Sequence, residues 1–384
     1  MFNGRVCIVG GGIGGLATAV ALQRRGIDAH VYESAPALGD VGKGIWMPPN
    51  AMQVLDRLGL ARDVARAGVS LQRLQVQTLE GRLLQSVDLS EAEARYRQTT
   101  VSVLRSALQR VLVGALLPGT LHLGRRCTGV ETQGHRPVAT FGDERVEADL
   151  VVGADGLRSV IREAVVPNAR LRSAGQVCAL GIARAALPSG LSGTAREIWG
   201  GPSRFGFSPV TPGLVYWFAP VLAHDAEGSR LLVGGSTDAL RKRYASFPSP
   251  VPELLAATAG GDVIEVELGG LVPLRMWHRG RVVLVGDAAH AMTPNLGQGG
   301  AQSLEDAFAL ARGLAEAPDL PTALQRYERT RRPRATRIAR TAWWLGKAAH
   351  VRSPWARLLR DAALRSTPNR AQERQLDALY TLEA

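Results

Sequence analysis

A glycine-rich loop between a short strand and a helix constrains the fold of this chain more than any other feature. Gly10, Gly12 and Gly15 fit the spacing G-x-G-x-x-G, after the apolar run 6–9 and before the helical pattern 16–25. The first glycine permits a tight turn, the second lets the backbone approach a pyrophosphate, and the third allows close helix–strand packing. The pattern predicts a β-α-β unit with phosphates at the helix N-terminus.

A glutamate at the end of the next predicted strand narrows the choice of dinucleotide. Glu33 follows the strand pattern 29–32 and lies 23 residues after Gly10. A carboxylate at this position accepts hydrogen bonds from both ribose hydroxyls and would repel a 2′-phosphate. The loop is therefore predicted to hold FAD or NAD rather than NADP.

Two further motifs follow apolar strands. Segment 149–162 contains the turn Asp155-Gly156, and segment 281–290 ends in Gly286-Asp287-Ala-Ala-His. The second is followed by Met-Thr-Pro-Asn-Leu-Gly-Gln-Gly-Gly at 292–300. Taken alone, the Asp155-Gly156 turn is an ordinary exit from a strand.

The remaining pattern predicts how these segments are arranged. Helices are predicted over 50–60, 101–117 and 298–316, a strand over 146–153, and a hairpin over 71–89 around Glu80-Gly81. Between 171 and 270 the pattern is strand-like with Pro and Gly turns and without a long helix. Segments of α/β character thus bracket a mostly β insertion, which predicts one discontinuous domain.

The three motifs together resemble the fingerprints of the single-component, FAD-dependent aromatic-ring monooxygenases, the p-hydroxybenzoate hydroxylase-like group. That family's pattern is GxGxxG, then a DG motif, then GDAAH with a PxxGQG loop. Smaller matches are Gly44-Ile45, Arg105 and Tyr216-Trp217-Phe218. The resemblance covers most of residues 1 to about 345.

The resemblance implies an α/β fold with three parts. A discontinuous Rossmann-like FAD-binding domain takes residues 1–70, 97–170 and 271–345. A mostly antiparallel β-sheet substrate domain takes residues 71–96 and 171–270. A helical C-terminal tail takes residues 346–384.

FAD, bound non-covalently, is the cofactor that the resemblance implies, and no metal is expected. NADH or NADPH would be the co-substrate, and the sequence leaves the choice between them open. The implied cofactor-binding residues are Gly10, Gly12, Ile13, Gly14, Gly15, Glu33, Ser34, Gly44, Ile45, Arg105, Asp155, Gly156, Gly286, Asp287, Pro294, Gly297, Gln298, Gly299 and Gly300.

The implied activity is a monooxygenase reaction. One atom of O2 would enter an aromatic or similarly electron-rich, quinoid small molecule through a flavin C4a-hydroperoxide, in a site that excludes water. Two alternatives stay open. One is a flavin epoxidase or oxidoreductase of the same fold acting on a polyene or quinone-like substrate, and the other is a non-catalytic flavoprotein.

The sequence assigns no catalytic base. Tyr216, Arg204 and Pro294 are candidate catalytic residues, and His290 is interpreted as a packing and hydrogen-bonding residue of the GDAAH turn. The substrate pocket is predicted between that turn and the β region. Its predicted lining comprises Trp46, Met47, Trp199, Arg204, Phe205, Phe207, Tyr216, Phe218 and Pro294.

A large positive charge raises the question of a polyanionic partner. The formal net charge is +12, and arginine supplies 43 of the 46 basic residues. These arginines are dispersed and match no nucleic-acid-binding motif, so no nucleic-acid partner is predicted. The basic run 326–340, followed by Trp343-Trp344, Arg352 and Trp355, is interpreted as a solvated or interdomain helix face. An anionic membrane surface is the alternative, and the oligomeric state is left open.

The predicted compartment is the reducing cytoplasm. Three cysteines lie far apart without the spacing of a zinc site or a disulfide framework. The chain contains no run of apolar residues long enough for a transmembrane helix. The apolar stretch 6–22 contains five glycines, which argues against a signal peptide.

Overall fold

A parallel sheet built from three distant parts of the chain organises the fold. The structure is a computed structural model and describes residues 2–39, 43–223 and 237–382. Its strands are β1 (Val6–Val9), β2 (Ala29–Tyr32), β3 (Gly44–Met47), β4 (Gly68–Leu71), β5 (Arg73–Thr78), β6 (Leu83–Asp88), β7 (Thr100–Leu104), β8 (Leu121–His122), β9 (Gly129–Glu131), β10 (Val138–Phe141), β11 (Glu144–Glu147), β12 (Leu150–Gly153), β13 (Leu171–Arg184), β14 (Thr194–Trp199), β15 (Arg204–Thr211), β16 (Leu214–Leu222), β17 (Val263–Leu271), β18 (His278–Arg279) and β19 (Val282–Leu284).

The helices of the described residues run from the glycine loop to the C-terminal end. They are α1 (Ile13–Gln23), α2 (Pro49–Arg57), α3 (Ala61–Arg66), α4 (Leu89–Tyr96), α5 (Arg105–Gly114), α6 (Ile161–Val165), α7 (Thr237–Arg243), α8 (Val251–Ala256), α9 (Asp287–His290), α10 (Gly299–Glu316), α11 (Leu320–Ala349), α12 (Pro354–Arg365) and α13 (Asn369–Tyr380). Short 3-10 turns lie at Ser189–Leu191, Gly260–Asp262 and Pro294–Leu296.

The central six-stranded sheet has the order β18-β19-β12-β1-β2-β8. Strand β1 pairs in parallel with β12 and β2, while β19 extends the sheet beyond β12 and β8 extends it beyond β2. Every residue of β1 is buried, as expected for the middle strand of a parallel sheet. The carboxyl ends of β1, β12 and β19 therefore lie side by side, and each leads into one of the three motifs.

A seven-stranded sheet of order β17-β13-β16-β15-β14-β5-β6 forms the second layer. Its strands pair antiparallel except β14 and β5. On one face Phe205, Phe207 and Trp217 pack in a core that α7 and α8 cover. The other face meets β3, where Trp46 Nε1 donates to Ser208 Oγ at 2.9 Å.

The antiparallel sheet β3-β7-β4 connects the two larger sheets. Ser102 on β7 contacts Ser208 on β15 at 2.8 Å between the hydroxyl oxygens. On the other side, a Cβ added to Gly300 of α10 would lie 2.9 Å from Ile45 Cδ1 of β3. This small sheet therefore fixes the distance between the seven-stranded sheet and the motif that starts α10.

The predicted fold class is confirmed: a parallel sheet from discontinuous segments, a mostly antiparallel second sheet and C-terminal helices. The predicted helix over 101–117 is wrong in its first part. Residues Thr100–Leu104 form strand β7 because this partly β-branched segment pairs with both β3 and β4. The predicted strand over 146–153 is two strands, since β11 turns back onto β10 before β12 enters the central sheet.

The predicted domain boundaries stay a prediction. The membership of the sheets supports them, because β5 and β6 join the strands of 171–271 in one sheet, whereas β1, β2, β12 and β19 share another. In the described residues no helix is both long enough and apolar enough to cross a bilayer.

His350 lies in the contact between the C-terminal end of α11 and the seven-stranded sheet. Its Nδ1 lies 3.0 Å from the Gly346 carbonyl oxygen, and its Nε2 lies 3.5 Å from the Pro220 carbonyl oxygen. Burial, and next the charge of Arg204, lower the pKa of His350 to about 4. The imidazole is therefore neutral in the folded protein at pH 7.

We expect this buried imidazole to make the fold acid-sensitive. The unfolded chain binds the proton below about pH 6.5 and the folded chain only near pH 4. Stability is therefore complete above pH 6.5 and is lost as the pH falls toward 4, by at most about 3 kcal/mol. Urea unfolding of FAD-saturated protein should show this loss, and His350→Gln should flatten the profile. His135→Gln, at an exposed histidine, is the control, and equal slopes for both variants would contradict the assignment.

Candidate active site

In the first loop, Gly10 and Gly15 are required for packing, whereas Gly12 between them borders open space. A Cβ on Gly15 would lie 1.9 Å from the Gly10 carbonyl oxygen, and one on Gly10, whose φ is +110°, would lie 2.4 Å from the Ala154 carbonyl oxygen. A Cβ on Gly12 would meet no described atom within 4 Å. Helix α1 starts directly after Gly12 without a side-chain cap, so its first N–H groups face this open side.

Glu33 is fixed beside this loop by three donors. Its Oε2 accepts the Gly11 N–H at 2.6 Å, and its Oε1 accepts the Ala35 N–H at 2.8 Å and the Ser34 hydroxyl at 3.0 Å. Gln109 on α5 donates from Nε2 to the Gly11 carbonyl at 3.0 Å and supports the loop from the other side. The carboxylate is half-buried, so it has a defined direction and retains access to a ligand.

The second motif brings Asp155 to the start of α6. Its carboxylate accepts the Ser159 hydroxyl at 2.5 Å and the backbone N–H groups of Val160 and Ile161 at 2.7 and 3.2 Å. Gly156 has a φ of +79°, which a glycine adopts without strain. In this structure the carboxylate of Asp155 therefore stabilises the turn that leads into α6.

Arg162 connects the second motif to the third. Its guanidinium is buried and donates to the Leu157 carbonyl at 2.7 Å and to the Ala288 carbonyl at 3.2 Å. Burial lowers the pKa of Arg162, and Asp155 and Glu163 act in the opposite direction. Both turns are thus fixed relative to each other by one side chain.

The first and third motifs meet at Ser303 in the second turn of α10. A Cβ added to Gly14 would lie 3.3 Å from Ser303 Cβ, and one added to Gly286 would lie 2.7 Å from Ser303 Oγ. Asp287 is exposed although Gly286 and Ala288 on either side are buried. We call Gly286-Asp287 the GD turn. The Asp287 carboxylate is therefore accessible at the edge where the glycine loop, the GD turn and α10 meet.

Asp306 of α10 fixes the position of the GD turn through hydrogen bonds. Its Oδ2 accepts the Gly286 N–H at 2.9 Å and contacts His290 Nε2 at 2.5 Å, while its Oδ1 accepts Arg331 Nε at 2.9 Å. Burial alone would raise the pKa of Asp306, but His290 and Arg331 outweigh it and hold that pKa below its usual value. His290 thus acts in this buried contact, which agrees with its interpretation as a residue of the turn.

The neighbouring Glu305 accepts hydrogen bonds from a second set of side chains. Its carboxylate accepts Arg331 Nη1 at 2.5 Å, Arg334 Nε at 2.8 Å and Asn50 Nδ2 at 2.6 Å. The pKa of Glu305 also lies below its usual value, because the two arginines outweigh the opposing effect of burial. We call Asn50, His290, Glu305, Asp306, Arg331 and Arg334 the buried ion cluster.

Gln298, which directly precedes α10, is bound to the same cluster. Its amide oxygen accepts Asn50 Nδ2 at 3.0 Å and Gln302 Nε2 at 3.0 Å. Gly297 before it has a φ of +61°, and Pro294 at the start of the loop is exposed. The Gly-Gln-Gly-Gly segment is therefore oriented by α2 and α10.

Asn295 ties the same loop to the seven-stranded sheet. Its Oδ1 accepts Arg204 Nη2 at 2.7 Å, and its Nδ2 donates to the Ala342 carbonyl at 3.1 Å. Arg204 Nη1 also lies 3.1 Å from Glu197 Oε1, and both side chains are largely buried. The positive charge of Arg204 is therefore balanced within the sheet.

An apolar wall faces this loop from β13, β16 and β3. Leu180 and Phe218 are cross-strand neighbours that pack with Trp343 of α11. The Phe218 ring lies edge-on to Trp46, with 6.0 Å between the ring centroids. A Cβ on Gly297 would lie 3.8 Å from Trp46 Cε3, so the wall borders the loop.

Two glycines allow the aromatic rings of this wall to lie flat against backbone. A Cβ on Gly44 would lie 2.3 Å from Tyr216 Cγ, and one on Gly206 would lie 2.0 Å from Phe218 Cζ. Burial raises the pKa of Tyr216 above its usual value, so the phenol is protonated at neutral pH. Tyr216 can therefore donate a hydrogen bond, but it does not supply a phenolate base.

Some predicted lining residues lie elsewhere. Phe205 and Phe207 pack on the opposite face of the seven-stranded sheet, because side chains alternate along β15. Met47 is fully buried in the core of the central sheet, and Trp199 packs beneath α12 against Leu84. Arg105, which is predicted as a cofactor-binding residue and not as a lining residue, is exposed at the start of α5, and its N–H donates to the Lys43 carbonyl at 3.1 Å.

Sequence reasoning missed the role of Arg331 and Arg334. Both lie in the basic run 326–340, which is interpreted above as a solvated or interdomain face, yet their side chains are buried. The available signal was helical spacing, since Tyr327, Arg331, Arg334 and Ile338 recur every three or four residues on one stripe. Gln109 and Asn295 carried no comparable signal.

Comparison with known proteins places these segments in a family. Residues 3–197 and 272–342 match a family model described as FAD binding domain. The chain is 36% identical to aurachin C monooxygenase/isomerase of Stigmatella aurantiaca, over 94% of this chain and 93% of that protein. It is 34% identical to 2-heptyl-3-hydroxy-4(1H)-quinolone synthase of Pseudomonas aeruginosa, over 98% and 97%. Klebsiella pneumoniae HpxO complexed with FAD and uric acid superposes with a TM-score of 0.86 at 27% identity, covering 98% and 96% of the two chains.

The residues of this chain fit FAD. The open side of Gly12, the uncapped start of α1, the fixed carboxylate of Glu33 and the exposed carboxylate of Asp287 lie along one edge of the central sheet. N–H groups at a helix N-terminus bind phosphates, and carboxylates bind sugar hydroxyls.

Gly12 and Gly15 form a matched pair for testing this fit. Gly12→Ala should leave the folding stability of the apoprotein unchanged and weaken FAD binding at least about tenfold, because the methyl group enters the space of the phosphates. Gly15→Ala should instead cost about 1–3 kcal/mol of folding stability, since its Cβ has no room. Fluorescence titration with FAD and urea unfolding measure the two effects. Unchanged FAD affinity of Gly12→Ala would contradict the phosphate assignment.

Arg331 offers a test of the buried ion cluster. Arg331→Met leaves two buried carboxylates without their shared cation and should cost about 3–5 kcal/mol of folding stability. It should also weaken FAD binding, since the Gly286 turn loses its support. Arg332→Met is the control, because this neighbour is partly exposed, pairs with Glu328, and should cost under about 1 kcal/mol. Equal effects of both substitutions on unfolding would show that the cluster does not support the turn.

Proposed function

The chain belongs to the FAD-dependent aromatic monooxygenases, and on that premise we propose that it hydroxylates a neutral, nitrogen-containing heteroaromatic compound of the quinolone type. It is an FAD flavoprotein enzyme, as its relatives are. Bound FAD supplies the oxygen and redox chemistry, with NADH or NADPH as the reductant typical of the family. The residues of the chain bind and orient the two small molecules and keep water out.

The names of two relatives point to this substrate class. One is an aurachin C monooxygenase, and another makes a 3-hydroxy-4-quinolone that carries a heptyl chain. The wall formed by Trp46, Leu180, Phe218 and Trp343 offers apolar and aromatic surface to such a compound. Flat bicyclic rings gain offset or edge-on contacts with aromatic side chains.

The single observation that carries the proposal is the pairing of Arg204 with Glu197. A substrate carboxylate would need an unpaired cation to compensate for its desolvation. Arg204 is a buried cation on this face of the sheet, next to the loop of Asn295, and its charge is already balanced by Glu197 at 3.1 Å and by the amide oxygen of Asn295. A neutral ring carbonyl or N–H can use hydrogen bonds here without that requirement.

We assign the cofactor contacts as follows. The N–H groups at the start of α1, beside Gly12, bind the pyrophosphate, and Glu33 accepts the ribose hydroxyls. Asp287 accepts hydroxyls of the ribityl chain, and residues 297–300 lie along the flavin ring. Tyr216 remains a hydrogen-bond donor within the wall.

Substrate-stimulated oxidation of NADH and NADPH tests the proposal. With FAD-loaded protein, 2-heptyl-4(1H)-quinolone should stimulate oxidation and yield a hydroxylated product, whereas 4-hydroxybenzoate and urate should not. Stimulation by the two anionic compounds alone would overturn the proposed substrate class and leave the enzyme class unaffected.

Glu197→Gln should change the preference in a defined direction. The substitution keeps a hydrogen-bond acceptor but leaves the Arg204 charge unbalanced, so the ratio of kcat/KM for 4-hydroxybenzoate to that for the quinolone should rise about tenfold. Glu267→Gln, at an exposed glutamate on β17, is the matched control. An unchanged ratio for Glu197→Gln would mean that Arg204 does not contact the substrate space.

A further inference from the structure

Helix α12 turns Arg360 and Leu364 inward, whereas its larger apolar residues Trp355, Leu358 and Leu359 are turned outward. The described chain packs this helix against β6 through Leu364, which joins the small cluster of Leu84 and Trp199. No residue of the helix is fully buried. A surface helix ordinarily does the reverse and buries its apolar stripe.

The inward side of α12 carries a charged pair, Arg360 and Asp361. Arg360 donates to the Ala348 and Ala349 carbonyls at 3.3 and 3.2 Å, and its guanidinium lies 4.9 Å from the Trp199 ring centroid. It also binds the Asp361 carboxylate at 2.6 Å. These contacts fix the rotation of the helix, so the opposite side is necessarily turned outward.

The outward side of α12 is apolar. Trp355, Leu358 and Leu359 follow a helical spacing and are 78%, 55% and 74% exposed. Trp344, near the end of α11, is 69% exposed. We call Trp344, Trp355, Leu358 and Leu359 the outward patch. Three of its members are the most exposed of the large apolar side chains described, and four such residues within sixteen positions require an explanation.

The segment around the outward patch is strongly basic. Between residues 337 and 365 the sequence contains seven arginines or lysines and a single acidic residue, Asp361. That aspartate is already bound to Arg360. The patch therefore combines apolar side chains that can enter a lipid surface with a positive field that attracts anionic headgroups.

We propose that α12 and the end of α11 dock this enzyme on the surface of an anionic lipid bilayer. Helix α12 has 12 residues and a length of about 18 Å, so it lies in the interface and does not span it. Tryptophan and leucine side chains insert at the headgroup level, and arginines contact the phosphates. The inference does not depend on the proposed substrate.

Charge selects the bilayer over a second copy of this chain. In a two-fold symmetric interface the same surface meets itself. Two copies of a segment with seven basic residues and one acidic residue would then be brought together, and their like net charges repel. An anionic bilayer satisfies both the apolar and the basic part of the segment.

Vesicle binding of the FAD-loaded protein tests this proposal. Wild-type protein should co-sediment with phosphatidylcholine vesicles that contain phosphatidylglycerol, and less with phosphatidylcholine alone, with binding weakened by salt. The triple variant Trp355→Ser, Leu358→Ser, Leu359→Ser should lose binding at least about tenfold. Leu117→Ser is the matched control, since Leu117 is 57% exposed elsewhere on the surface. Absence of wild-type binding, or equal binding of the triple variant, would overturn the proposal.

Two further measurements separate the remaining outcomes. Sedimentation velocity without vesicles should give the same oligomeric state for wild-type protein and the triple variant. A dimer that becomes a monomer in the variant would identify a second copy as the occupant and overturn the proposal.

If the triple variant does not fold, the conservative Trp355→Phe replaces it. Wild-type tryptophan emission should shift to the blue on addition of the anionic vesicles, and this variant should lose part of that shift, because Trp344 remains, while still binding. An unchanged shift would contradict insertion of α12.

Discussion

Two adjacent carboxylates buried on α10 are the constraint on which the site depends. Glu305 and Asp306 stay ionised inside the protein only because Arg331 and Arg334 reach them from α11 and His290 from the GD turn. An unpaired buried charge costs several kcal/mol, so these segments are not free to separate. Through Asp306 the cluster supports Gly286, and through Asn50 it supports Gln298. The two segments proposed to touch the flavin are thereby fixed by one charge-balanced network.

Much of the central sheet was predictable because the glycine spacing of the first loop has a local steric cause. Gly10 and Gly15 are excluded from bearing side chains by backbone oxygens, and this steric rule leaves a readable spacing in the sequence. Strand β7 was not predictable in the same way. Its sequence is compatible with a helix, and only pairing with β3 and β4 on both sides decides for the strand. Arg331 and Arg334 were missed because a basic run resembles a solvated surface until tertiary contacts select two members for burial.

Sequence reasoning is limited in the same way for the predicted lining residues of the substrate pocket. Alternation along β15 and β16 divides the aromatic residues into two sets, but both sets are apolar. Which set faces the loop of Gly297 is decided by the contact of Trp46 with Ser208, between residues 162 positions apart in sequence. Phe205 and Phe207 therefore looked equivalent to Phe218 in sequence. The charge balance of Arg204 is equally non-local, since Glu197 and Asn295 come from different elements.

The origin of the oxygen atom in the product tests the account most directly. FAD-loaded protein, a reduced nicotinamide and the compound that most stimulates its oxidation are incubated under ¹⁸O2, and the product is analysed by mass spectrometry. The account predicts one ¹⁸O atom per hydroxylated product molecule, and none when unlabelled O2 is used and the label is supplied as H2¹⁸O instead. A product oxygen derived from water, or nicotinamide oxidation that yields hydrogen peroxide and no oxygenated product with every active compound, would contradict the assignment of this chain as a monooxygenase.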